Sequence, residues 1–145
     1  MKLQLTSKYL PTHIWFLIAV YFIASLAHFA HNAEYIAFYP NMPLWITRNT
    51  VYVAWLVITS VGVAGLIALR LKWQAIGAVL IAIYGAFGLD GLLHYTLALC
   101  SQHTLLTNIT IWSEAVSGLG LLLASSCWCE SARRQQASLG SRTSI

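Results

Sequence analysis

Four long apolar stretches separated by short polar breaks make up most of the chain. The first runs from His13 to about Phe38 and ends at Tyr39-Pro40-Asn41-Met42-Pro43, where two prolines three apart remove backbone donors. The second runs from Asn49 to Leu69 and stops at Arg70-Leu71-Lys72. The third runs from about Gln74 to Leu99, and Cys100-Ser101-Gln102-His103-Thr104 turns the chain. The fourth runs from about Leu106 to Trp128. An α-helix needs about 20 apolar residues to cross the hydrocarbon core of a bilayer, and each stretch meets that length. The pattern predicts an all-α integral membrane protein, a four-transmembrane-helix bundle with spans at 13–38, 49–69, 74–99 and 106–128 in one domain, residues 1–130. Residues 131–145 are polar and are expected to form a disordered tail.

Composition points the same way. Of 145 residues, 59% are hydrophobic and 8% charged, with a mean hydropathy of +0.70. Soluble domains carry about 25% charged residues, so this chain lacks the polar groups to cover a water-facing surface. In a four-span arrangement Lys2, Lys8, Arg70, Lys72, Arg133, Arg134 and Arg142 fall on one side, and Arg48 alone falls on the other. The positive-inside rule then expects both termini in the cytoplasm, as in a bacterial inner membrane. The pI of about 9.2 follows from that topology and from anionic headgroups. The bilayer is the expected partner, with room for a homo-oligomer, and no nucleic-acid partner is inferred. Ser25-Leu26-Ala27 could end a signal peptide, but the apolar run continues to Phe38 and favours a retained helix.

Ionisable residues inside the spans carry the candidate chemistry, because they are expensive in lipid and by default mark a site facing the bundle interior. Span one holds His28, His31 and Glu34, span three holds Asp90 and His94, and span four holds Glu114. Counted from the outer ends of their helices, His28, Asp90 and Glu114 all lie roughly 12–15 Å below the boundary. His28 and His31 are spaced i, i+3, and Asp90 and His94 are spaced i, i+4, so each pair shares a stripe. On span four, Thr107, Thr110, Glu114, Ser117, Gly118, Leu121 and Ser125 form one polar or small face suited to packing or a wet cavity. Glu34 lies about one turn below the outer end, and His103 lies in the outer loop, within reach of closing the site.

Imidazoles and carboxylates at one depth point first to a divalent metal. His28, His31, Asp90, His94 and Glu114 are the expected ligands of zinc, iron or copper, and Glu114 or Asp90 the expected general base. Copper(I) is disfavoured, because neither methionine nor cysteine reaches that layer. The expected function is a metal-dependent site opening to the outside, acting on a lipid or small lipophilic molecule. Two alternatives stand beside it. One is a b-type haem electron carrier, with His28 or His31 facing His94. The other is a carrier of protons or metal ions, or an accessory subunit that delivers metal.

Overall fold

The computed structural model describes residues 10–142. Helix α1 (Thr12–Glu34) follows Pro11, whose carbonyl accepts the Ile14 and Trp15 amides at 2.9 and 3.2 Å. A 3-10 turn at Ile36–Phe38 leads into the first loop, so α1 ends four residues short of the expected boundary. Helix α2 (Arg48–Arg70) starts on a reciprocal cap, in which the Thr47 amide donates to Thr50 Oγ1 at 2.7 Å and the Thr50 amide donates to Thr47 Oγ1 at 3.3 Å. It stops where Lys72 turns left-handed (φ 66°), and the Trp73 amide reaches back to the Ala68 carbonyl at 2.9 Å.

The third span is not one regular helix. Helix α3 (Gln74–Ala86) tightens into a 3-10 segment at Phe87–Leu93, followed by the single turn α4 (His94–Leu97). Helix α5 (Leu105–Arg142) completes the bundle and runs on through the stretch expected to be a tail, where Arg134 Nη2 donates to Glu130 Oε1 at 2.6 Å. Lys2 and Lys8 lie outside the described residues. Four helical stretches are long and apolar enough to cross a membrane, Thr12–Glu34, Arg48–Arg70, Gln74–Leu97 and Leu105–Ser131, and no strand occurs among the described residues.

The helices form a ring in which α5 packs against α1 and α3, and α2 packs against α3 and more lightly α1. Glycines set the closest approaches. A Cβ at Gly118 would come within 2.6 Å of the Gly85 carbonyl oxygen, and one at Gly88 within 2.9 Å of the Glu114 carbonyl oxygen. Such seams let backbones pack in a membrane, where small residues replace the missing hydrophobic drive. The two halves of the core then differ. Toward the end bearing the termini, Ile14, Tyr21, Ile81, Tyr84 and Leu121 form an apolar cluster. Toward the end bearing the first and third loops, the buried residues are largely polar: His28, Asn32, Thr107, Thr110 and Glu114.

Candidate functional site

The polar half of the core begins on α1. His28 and Asn32, four residues apart, point inward, and His28 is 2% exposed. Opposite them α5 presents Thr107, Thr110 and Glu114, and Glu114 is 1% exposed. Thr110 Oγ1 donates to the Thr107 carbonyl at 2.9 Å, which leaves its lone pairs to accept from His28 Nδ1 at 3.4 Å. That assignment puts the proton of a neutral imidazole on Nδ1 and turns the bare Nε2 toward Glu114. Nε2 lies 3.6 Å from Glu114 Oε2, and neither carboxyl oxygen has a hydrogen-bond partner.

Chemistry follows from that arrangement. A lone pair and a carboxylate face each other in a water-poor interior, where a bare charge costs several kcal/mol. The pair therefore favours a state in which a proton on one of the two groups removes that charge. Gly91 supplies the space, since a Cβ there would lie 3.2 Å from Glu114 Oε2 and 3.7 Å from His28 Nε2.

The tightened segment of the third span explains which of its residues reach this point. With three residues per turn, Gly88, Gly91 and His94 eclipse on one face. Gly88 and Gly91 are buried, and the His94 ring meets the His28 ring edge to face at 5.4 Å. An α-helical spacing would have kept Asp90 beside His94. Instead Asp90 is exposed, with no hydrogen bond or ion pair among the described residues. The structure thus gathers His28, His94 and Glu114 and leaves Asp90 outside the cluster.

From His94 the polar groups continue toward the loops. Asn32 Nδ2 lies 3.3 Å from His94 Nε2, and the Tyr39 and His103 rings lie 5.0 and 6.2 Å from the His94 ring. His31 does not touch the His28–Glu114 pair; its Nδ1 accepts from the Tyr39 hydroxyl at 2.9 Å. Burial pushes the Tyr39 phenol up to about 12, while the Thr107 and Thr110 hydroxyls pull it the other way, so it serves as a neutral donor. His103 Nε2 is buried without a partner. Asn41 Nδ2 donates to the Leu97 carbonyl at 2.7 Å, and Asn108 Nδ2 to the Cys100 carbonyl at 3.1 Å, which hold the loops over the cluster. Glu34 is engaged elsewhere: Oε1 accepts from Arg48 Nη2 at 2.7 Å and from the Tyr52 hydroxyl at 2.8 Å, joining α1 to α2.

Among the described residues, no three His, Cys, Asp or Glu side chains converge closely enough to hold one metal ion. Asn32 and Tyr39 belong to the cluster and were not singled out from the sequence. The signal for Asn32 was its i+4 spacing from His28. Tyr39 had no such signal, because its position depends on how the first loop folds back. No protein-family model, curated protein or solved structure matches this chain.

Proposed function

We propose that this is a membrane-embedded proton-handling protein, in which His28 and Glu114 share a proton exchanged through the loop end of the bundle. The observation that carries this reading is His28 Nε2 facing an unpartnered, buried Glu114 carboxyl at 3.6 Å. A proton held by either group removes the buried charge, and it needs no third ligand. His94, His103 and the Tyr39 hydroxyl step outward from the pair and are all proton donors or acceptors. With the basic residues on the cytoplasmic side, the loop end opens to the outside, which in a bacterial inner membrane is the periplasm.

Infrared difference spectroscopy of the purified full-length protein across a pH titration tests the reading. A carboxyl band that appears and disappears with pH, and is missing in Glu114→Gln, is the expected result. A spectrum unchanged by Glu114→Gln would overturn it. So would about one divalent metal ion per chain that Glu114→Gln releases, or a Soret band in untreated protein.

A further inference from the structure

Helices α1 and α2 touch more lightly than any other neighbouring pair of the ring. A cleft of about 450 Å³ runs along their seam, a size common among small-molecule sites. Trp15 and Phe22 line it on α1, Thr59, Gly62 and Val63 line it on α2, and Tyr84 reaches it from α3. Gly62 makes that reach possible, because a Cβ there would lie 2.7 Å from Tyr84 Cδ1. Phe22 and Val63 are exposed, so the mouth of the cleft faces lipid.

Its inner wall is not wholly apolar. Tyr84 is 3% exposed, and its hydroxyl has no hydrogen-bond partner among the described residues. The buried Thr59 hydroxyl has none either. Ser25 stands beside the Tyr84 hydroxyl but is engaged: its Oγ donates to the Phe22 carbonyl at 3.2 Å and accepts from Trp55 Nε1 at 3.3 Å. Two hydroxyl protons are thus left without an acceptor, where buried donors are normally paired.

Depth decides what could supply that acceptor. Thr59 is the middle residue of the 23 in α2, about 16 Å from either end. Phospholipid ester carbonyls stay at the headgroup boundary, and the acyl chains that reach this depth carry no polar atom. Water is scarce there too. No residue lining the cleft is charged, so nothing in it offsets the cost of bringing in a charged ligand.

We propose that the α1–α2 cleft binds an uncharged lipophilic ring bearing a carbonyl oxygen, the chemistry of an isoprenoid quinone, with Tyr84 and Thr59 donating to that oxygen. A carbonyl has two lone pairs and accepts both protons. The Trp15 and Phe22 rings suit a planar ring, and the open mouth lets an apolar tail run out into lipid. Binding involves no redox step and uses neither His28 nor Glu114.

The test titrates full-length protein in phosphatidylcholine nanodiscs with decylubiquinone whose ring carbonyls are isotope-labelled, and reads the carbonyl stretch by infrared difference spectroscopy. Wild type is expected to bind saturably and to move the stretch below its frequency in protein-free nanodiscs. Tyr84→Phe and Thr59→Val should each reverse part of that shift and weaken binding about tenfold, the worth of one hydrogen bond. Val63→Trp fills the cleft from its lipid side and should abolish saturable binding. Circular dichroism of all three variants should match wild type, and Tyr84→Phe should melt no lower. Unsaturable uptake with an unshifted carbonyl in wild type would overturn the proposal and leave the cleft to acyl chains. So would binding that ignores both Tyr84→Phe and Val63→Trp. If Val63→Trp split a dimer without loss of quinone binding, the seam would be a contact with a second copy and the proposal would fail.

Discussion

Glu114 is the residue on which the proposed chemistry turns, because both carboxyl oxygens are buried and unpartnered beside His28 Nε2. Glutamine keeps the size and hydrogen-bonding capacity of that side chain and removes the exchangeable proton. Interhelical hydrogen bonds in membranes average about 0.6 kcal/mol, so Glu114→Gln should stay folded and inserted while losing the pH-dependent carboxyl signal. Circular dichroism and the infrared titration on one sample check both halves of that expectation. Glu34 makes a useful contrast. Its pair with Arg48 is 44% and 63% exposed on the two side chains, where solvent screens most of the attraction. Glu34→Gln should leave the melting temperature close to wild type and the infrared titration unchanged.

Helix packing makes its own demands, and the glycines of α5 separate them. A Cβ at Gly118 would meet the Gly85 carbonyl oxygen at 2.6 Å and the Gly88 Cα at 2.9 Å, both backbone atoms that cannot rotate away. Gly118→Ala should therefore push α5 from the third span and destabilise the bundle by about 1–3 kcal/mol. A Cβ at Gly120 meets only Leu17 Cδ2, at 3.6 Å, so Gly120→Ala should be tolerated or slightly stabilising. Thermal unfolding of the two variants in the same detergent tests the difference. The third span shows how packing also reshapes an element. Its pattern reads as a continuous α-helix that pairs Asp90 with His94, yet close approach to α5 at Gly88 accompanies a 3-10 segment that turns Asp90 outward. Periodicity along one chain carries no information about a neighbour pressing on it.

Across the membrane, the two ends of the bundle are chemically unlike. The four-span reading of the sequence assigns seven basic residues to the side of the termini and one, Arg48, to the other. Reporters fused at the N- and C-termini should therefore both read cytoplasmic. An external signal from either one would reverse the proposed orientation and with it the side from which His28 and Glu114 are reached. The buried polar residues His28, Asn32, Thr107, Thr110 and Glu114 lie toward the loops, and the apolar cluster of Ile14, Tyr21, Ile81, Tyr84 and Leu121 lies toward the termini.

The four spans were legible from hydrophobic run length, because an apolar stretch of that size has few other stable places to go. The common depth of His28 and Glu114 was legible too, since helical rise converts residue counts into distance. The composition of the cluster was not. Asp90 left it through a local change of helical pitch, while Tyr39 and His103 joined it through the folding of the loops over His94. These outcomes depend on contact between segments far apart in the chain, backbone against backbone at Gly88 with Gly118 and side chain to carbonyl at Asn41 with Leu97. The order of residues along each helix specifies which side chains are available, and only the approach of the helices specifies which of them meet.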